Sequence, residues 1–221
     1  MDYRGPTLDD LANINALNRA FLTAISGSSA NDYGVLSTRV MSPSQRARLS
    51  EVPFLLFSFR EQDADYWQQL LDDDPQSDLI ESSEQRDAAI GQLQVAGLGF
   101  LWQLAQRNPY AVRLVSGASV SWCEQISQLT LVGLLRRAAQ RNDLLRLRFP
   151  DDTAIWQRLL VNGAQRNNQT RAASHHVALQ EILTRGYASA GQSLPAAACT
   201  MRGPGRQVVQ SGPGSIREPK V

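Results

Sequence analysis

The sequence has little of what enzymes commonly use for chemistry. It contains two cysteines, Cys123 and Cys199, and two histidines, His175 and His176, which are adjacent. Two cysteines are too few for a disulfide framework, and neighbouring histidines on a helix point about 100° apart, which makes a poor metal pair. The sequence also lacks glycine-rich phosphate loops and Cys-x-x-Cys motifs. We therefore expect no catalytic residue, metal, cofactor or small-molecule substrate, and a protein that is not an enzyme.

Long apolar runs are absent as well. No stretch reaches the roughly 18 residues of a membrane span, and the first residues, MDYRGPTLDD, lack the basic and apolar regions of a signal peptide. We expect a cytoplasmic protein with no membrane contact. At 43% hydrophobic residues the chain can still bury a core, and Cys123, within a patterned helix, is expected to be a small core residue.

Lysine is scarce, with one lysine against 21 arginines, and the net charge of +1 conceals a split along the chain. Residues 1–106 carry a net charge of −8, whereas residues 107–221 carry +9. Such a split predicts either electrostatic pairing of the two halves or an anionic partner for the second half.

The chain contains what looks like the same unit twice. Residues 31–54 align without a gap with residues 108–131, at an offset of 77, and six of these 24 positions are identical. The Trp-bearing stretches that begin at Tyr66 and Ile155 align at an offset of 89. Two copies in one chain are typical of a pseudo-dimer. The alternative is that two helical stretches share apolar positions by chance.

Capping and periodicity patterns predict mostly helices. Helix starts are expected at Thr7-x-x-Asp10, at Ser42-Pro43-Ser44-Gln45 and at Ser121-x-x-Glu124, and residues 84–107 should form the central, most buried helix. Two alternating segments, 55–59 and 145–149, are predicted strands that pair antiparallel. Helices carrying Trp67 and Trp156 should follow them, capped by Asp63 or Asp65 and by Asp151 or Asp152.

These patterns predict a mainly α fold of two tandem helical units with a short antiparallel strand pair. We place the first unit at 1–71, an acidic linker at 72–87, the second unit with a C-terminal helix at 88–186, and a disordered basic tail at 187–221. The second unit is longer by residues 132–144, which are expected to extend a helix.

Five arginines fall within 13 residues and are expected on one helix face and on the outward side of the next strand: Arg136, Arg137, Arg141, Arg146 and Arg148. Guanidinium groups can engage phosphates bidentately and supply sequence-independent DNA affinity. The same pattern is also typical of a solvated face, or of one that pairs with the acidic first unit. We take these residues as candidates for binding nucleic acid or an acidic partner.

The segment 126–149, ISQLTLVGLLRRAAQRNDLLRLRF, resembles FlhD, a subunit of the bacterial flagellar master transcriptional activator. The shared features are a helix containing Leu-Thr-Leu, an alanine, a polar turn with asparagine, and a short strand ending in Arg-Phe before aspartate. The resemblance is best over residues 90–160 and fainter over 10–71. It implies a mostly helical dimerising fold with a small strand pairing, acting in transcription with a partner subunit.

The chain departs from the FlhD pattern in three respects. It carries two units instead of one, Arg146 stands where FlhD proteins carry a cysteine that links subunits, and the region after Leu160 matches poorly. We predict a transcription-linked regulatory or assembly protein that acts through a partner subunit or as a homo-oligomer, with DNA as a further candidate partner. The alternative is a helical protein–protein interaction adaptor without a nucleic-acid role.

Overall fold

The computed structural model describes residues 5–27, 41–72 and 88–191, with side-chain surroundings up to Thr184. Within these ranges the chain is mainly helical, with nine α-helices and one two-stranded antiparallel sheet. The predicted mainly α class with a short strand pair is confirmed. All of the expected acidic linker except Asp72, and the tail beyond Gly191, lie outside the described residues.

The elements follow one another as α1 (Leu8–Gly27), α2 (Pro43–Leu49), β1 (Phe57–Ser58), α3 (Ala64–Asp72), α4 (Ala88–Arg107), α5 (Pro109–Ser116), α6 (Val120–Gln128), α7 (Leu131–Ala139), β2 (Arg146–Leu147), α8 (Thr153–Arg158) and α9 (Asn168–Gly191). Helix α8 continues into a π-helical turn, Leu159–Gly163. The C-terminal helix, which the sequence places within 171–186, begins earlier at Asn168 and ends later at Gly191, so residues 187–191 of the predicted disordered tail are helical. Among the described helices, none combines the length and the apolar run needed to cross a membrane.

Reciprocal side-chain caps begin the first two helices. The Asp10 carboxylate accepts from the Thr7 backbone N–H at 2.9 Å, and the Thr7 hydroxyl accepts from the Asp10 N–H at 3.2 Å. The Ser42 hydroxyl accepts from the Gln45 N–H at 3.2 Å, and the Gln45 side chain accepts from the Ser42 N–H at 3.0 Å. These bonds satisfy N–H groups that a helix start leaves without partners. Both predicted caps are confirmed.

The cap predicted at Ser121 is wrong. Ser119 is the N-cap of α6, and its hydroxyl accepts from the Trp122 N–H at 3.1 Å. Ser121 lies in the first turn, with its hydroxyl 2.9 Å from that of Ser119. This pair repeats Ser42 and Ser44, whose hydroxyls are 3.1 Å apart. The repeat offset of 77, rather than the Ser-x-x-Glu pattern, identifies the cap.

Helix α4 is the centre of the core, as predicted. It packs against α1, α5, α6 and α7, and it buries Leu93, Leu98, Leu101 and Leu104. Gly97 allows the sheet to approach, because a Cβ atom there would lie 2.7 Å from the Phe59 ring. The buried apolar side chains of α4 stabilise its packing against these four helices.

The two strands pair across the halves of the chain. Phe57 lies opposite Leu147 and Ser58 opposite Arg146, in antiparallel orientation. Six apolar side chains of the two predicted strand segments are all 5% exposed or less: Leu55, Phe57, Phe59, Leu145, Leu147 and Phe149. The predicted strand pairing is confirmed.

The same turn follows each strand. Arg60 and Phe149 both adopt a positive φ of 56°, a conformation that non-glycine residues rarely take. The carboxylate of Asp63 then accepts from the Tyr66 N–H at 3.1 Å, and that of Asp152 accepts from the Ile155 N–H at 3.0 Å. Each residue of the first turn lies 89 positions before its counterpart.

The tryptophans close these turns in the same way. The Trp67 indole N–H donates to the Phe59 carbonyl at 2.9 Å, and the Trp156 indole N–H donates to the Arg148 carbonyl at 2.6 Å. Both rings are 1% exposed. The predicted equivalence of Trp67 and Trp156 is therefore confirmed in burial and in hydrogen bonding.

Candidate binding surface around α7

The sequence predicted that residues 132–144 extend the preceding helix. In the structure, α7 is instead a separate helix. Helix α6 ends at Gln128, and Leu129 is extended, with ψ of 151°. Thr130 then caps α7 by accepting from the Gly133 N–H at 3.1 Å. The predicted continuous helix through Leu-Thr-Leu is wrong because the threonine hydroxyl stabilises a new helix start.

Two side chains from α4 hold α7 in place. The Gln94 side chain donates to the Ala138 carbonyl at 2.6 Å, and the Trp102 indole donates to the Leu129 carbonyl at 2.9 Å. The first bond adds a side-chain donor to a carbonyl at the end of α7 that also accepts from the Arg141 N–H at 3.1 Å. With Leu134 fully buried, these bonds fix which side chains of α7 face outward.

Arg136 and Arg137 occupy different sides of α7. The side chain of Arg136 is exposed, and no hydrogen bond or ion pair links it to another residue in the described ranges. Arg137 is half-buried; its Nη1 donates to the Gly133 carbonyl at 3.5 Å, and its Nε is buried without a hydrogen-bond acceptor among the described residues. Arg136 is therefore the more accessible of the two cations.

Arg141 and Arg146 lie beyond α7, near residues of the first half. The Arg141 guanidinium is 5.9 Å from the centre of the Tyr66 ring. Arg146, with a half-exposed side chain, lies 3.9 Å from the Asp143 carboxylate. Asp143 thus offsets part of the positive charge of this surface.

Arg148 does not belong to this surface, and its predicted outward position is wrong. It is 6% exposed. Its guanidinium donates to the carbonyls of Leu55, Phe57 and Ser116, with distances of 3.1 Å to Leu55 and 2.5 Å to Phe57. It also pairs with the buried Glu61 carboxylate at 3.2 Å. The guanidinium satisfies three carbonyls and one carboxylate, so its role is to join parts of the core.

Pairing between the halves accounts for part of the charge split seen in the sequence. Three carboxylates of the first half contact arginines of the second half: Asp10 with Arg107 at 2.7 Å, Glu61 with Arg148 at 3.2 Å, and Glu51 with Arg171 at 3.3 Å. For these residues, the interpretation that the two halves pair electrostatically is confirmed.

Sequence reasoning missed a cluster around Tyr66. Its hydroxyl donates to Asp143 at 2.9 Å, and the Arg60 guanidinium stacks 3.8 Å from the ring centre. Arg60 also bonds to Asp143 at 2.7 Å and to Asp63 at 2.6 Å. Burial, reinforced by the hydrogen bond to Asp143, raises the pKa of Tyr66 to about 12. Tyr66 and Asp143 are 77 residues apart in the chain, and no local sequence pattern indicates that they are in contact.

The side chains with the best potential for chemistry are built into the core. Cys123 is fully buried, and burial raises the pKa of its thiol to about 12, so the thiol stays protonated at neutral pH. The Nε2 of His175 lies 3.2 Å from the Gly163 carbonyl, and burial lowers the pKa of this histidine. Within the described ranges, no three side chains are grouped to hold a metal ion.

An open groove of about 710 Å³ lies beside the sheet. Its walls include Arg60, Asp63, Arg146 and Ile182. The arginines that line it contact carboxylates already, as described above. The groove is therefore of mixed charge. Four of the five candidate arginines stay at least partly accessible, and they lie on different sides of α7 and in the segment that follows it: Arg136, Arg137, Arg141 and Arg146.

Comparisons with known proteins identify no relative: no family model, curated protein or solved structure matches the chain significantly.

Proposed function

We propose that this protein is a transcription-linked regulatory or assembly protein, built as a pseudo-dimer of two FlhD-like units and acting through a protein partner. The observation that carries the proposal is the repeated turn after each strand. Asp63 and Trp67 in the first half make the same hydrogen bonds as Asp152 and Trp156 in the second. The antiparallel pairing of β1 with β2 supports the same arrangement, because paired units of this kind bury strand edges that each unit would expose alone.

The surface chemistry favours a binding role over a reaction. The accessible arginines Arg136, Arg137, Arg141 and Arg146 suit an anionic partner, either an acidic protein segment or DNA phosphates. Asp143 reduces the positive charge, and Arg148 contributes none of it to the surface. This attenuation favours a protein partner as the main contact and leaves DNA as the second candidate. The alternative function is an adaptor without any nucleic-acid role.

Chromatin capture from crosslinked cells of the natural host tests the proposal. A tagged wild-type chain is expected to enrich a limited set of promoter regions. A variant with Arg136, Arg137 and Arg141 changed to Ala should lose enrichment whether these arginines contact an acidic protein segment or DNA phosphates. The salt dependence of DNA binding by the purified wild-type chain separates the two routes. Absence of promoter enrichment by the wild-type chain would contradict a role in transcription and favour the adaptor.

A further inference from the structure

Two valines on neighbouring helices are exposed to solvent. Val95 on α4 is 49% exposed, and Val132 on α7 is 58% exposed. Leu135 on α7 is half-buried. At Gly99 on α4, an added Cβ would meet no atom within 4 Å, so the helix backbone is open to close approach there. We call these four residues the α4–α7 groove.

The four residues share one side of the helix pair. The bonds from Gln94 and Trp102 described above make α4 and α7 antiparallel. Because both helices rise 1.5 Å per residue in opposite directions, Gly99 lies level with Val132, and Val95 lies level with Leu135. At 100° per residue, these positions turn toward the same side of the contact between the helices. The result is an apolar strip about one helical turn long, roughly 6 Å, with the open glycine at one end.

Arg136 determines the charge that an occupant should carry. It lies one turn after Val132 on α7, is exposed, and makes no ion pair within the described ranges. An occupant in contact with Val132 therefore meets a cation whose charge it can complement. A symmetric contact between two copies would present the same five residues twice, with Arg136 on both sides and no acidic side chain among them, so a second copy offers this cation no partner there.

We propose that the α4–α7 groove binds an amphipathic helix of a partner protein, with apolar residues at successive turns and an acidic residue placed for Arg136. A helix fits because the strip follows the direction of α4 and α7, and because an apolar helix face set into a groove is a common form of peptide recognition. This inference rests on the proposed function, since it specifies the chemistry of the protein partner.

Fluorescence anisotropy with the full chain tests the proposal. The probe is a labelled 18-residue helical peptide of leucine, alanine and glutamate, with leucines on one face and glutamates beside them. A second probe carries lysine in place of glutamate, and a third has the composition of the first in scrambled order. Wild-type protein is expected to prefer the glutamate probe to both others by about fivefold or more at 50 mM salt, the range of a single favourable charge contact.

Matched variants locate the binding site. Val95→Glu and Val132→Glu should each weaken binding of the glutamate probe about tenfold or more, because each places a like charge in the apolar strip. Val161→Glu is the control: Val161 is also 49% exposed but lies in the π-helical turn. Arg136→Glu should reverse the preference, so that the lysine probe binds more tightly than the glutamate probe.

Five different results would overturn the proposal. Equal binding of all probes, or equal loss in the Val161 control, would remove the groove as the site. A wild-type dimer that Val132→Glu dissociates would assign the groove to a second copy. Leu79 and Ile80 are the apolar residues of the acidic linker. If changing both to Ser raises the affinity for the glutamate probe about tenfold, the occupant of the α4–α7 groove is this linker and not a partner protein. The Val132→Glu variant distinguishes this inference from the proposed function. If the variant loses peptide binding but still enriches promoter regions, this inference is overturned and the proposed function stands.

Discussion

Trp67 and Trp156 make the same hydrogen bond, each donating its indole N–H to the carbonyl of the residue eight positions earlier, at 2.9 and 2.6 Å. The acceptor residues differ, since one is Phe59 and the other is Arg148. The tryptophan and the capping aspartate therefore define the repeated turn, whereas the side chain at the acceptor position has diverged. In the second half that position supplies a buried cation.

Removing either tryptophan side chain should destabilise the fold to a similar degree. Trp67→Ala and Trp156→Ala are each expected to lower the free energy of unfolding by about 3–5 kcal/mol, because each ring is almost fully buried. Urea denaturation followed by circular dichroism measures the change. A loss below about 1 kcal/mol for either variant would contradict the equivalence of the two sites.

Arg148 should be important for stability rather than for binding. Arg148→Ala leaves the Glu61 carboxylate, 1% exposed, without its cation, so we expect a loss of about 3–5 kcal/mol. Arg136→Ala is the matched control and should change stability by less than about 0.5 kcal/mol, because Arg136 is exposed. Equal effects in urea denaturation would show that the buried network contributes little. Changing Arg148 and Glu61 together to Leu should recover part of the loss, since no unpaired charge then remains.

Local sequence patterns were sufficient for much of the fold. The alternation over 55–59 and 145–149 predicted the strands, and the repeat predicted that Trp67 and Trp156 are equivalent. The position of Arg148 could not be read in this way, because its partners Leu55 and Glu61 lie 93 and 87 residues away in the chain. Alternation predicts which side of a strand a residue faces, but not whether another element covers that side.

The break between α6 and α7 was missed for a different reason. Leu129 and Thr130 continue an apolar and polar pattern that fits one long helix. The alternative start, with the Thr130 hydroxyl as a cap and the Leu129 carbonyl bonded to Trp102, depends on tertiary contacts. The sequence therefore grouped the candidate arginines together, but the burial of Arg148 and the different exposures of Arg136 and Arg137 required the structure.

The arginine surface makes a quantitative prediction for DNA. If it contacts phosphates, changing Arg136, Arg137 and Arg141 to Ala should reduce affinity similarly for every DNA sequence. The slope of log affinity against log salt should flatten by about one unit for each lost contact. Anisotropy of labelled duplexes between about 50 and 200 mM salt measures both effects.

A charge-matched control makes this result specific. The control changes three exposed arginines that do not belong to the candidate cluster: Arg19, Arg158 and Arg166. Changing all three to Ala removes the same amount of charge from other parts of the protein. The slope of log affinity against log salt should stay steeper for this control than for the variant with Arg136, Arg137 and Arg141 changed to Ala. If wild-type protein shows no salt-dependent DNA binding at about 50 mM salt, where phosphate contacts are strongest, direct DNA contact is contradicted and the surface is left to a protein.

His175 should make stability depend on pH. Burial lowers its pKa in the folded state from the ordinary value of 6.5, with Arg171 acting in the same direction and the Gly163 carbonyl and Glu51 acting against it. The unfolded chain therefore binds the proton more readily. The stabilising contribution is present above pH 6.5 and is lost as the pH falls through 6.5 toward the lowered pKa.

Comparison of wild type with His175→Gln measures this effect. The glutamine can still donate to the Gly163 carbonyl but does not titrate. Urea denaturation at pH 8 and pH 5 should show a larger loss of stability for the wild type than for the variant. An equal loss in both proteins would assign the pH dependence to other groups.

Disulfide trapping of the strand pair tests most directly whether two similar units pair within one chain. Ser58 and Arg146 lie opposite each other, and Cα atoms in such pairs are about 4.5–5.5 Å apart, within the range for a disulfide. With Cys123 and Cys199 changed to Ser, the chain carrying Ser58→Cys and Arg146→Cys is oxidised mildly, and mass spectrometry and non-reducing gels identify the product. We predict an intramolecular disulfide in a monomeric chain, formed faster than in a control that pairs Arg146→Cys with Ser26→Cys. A disulfide-linked dimer, or no disulfide at all, would contradict the account.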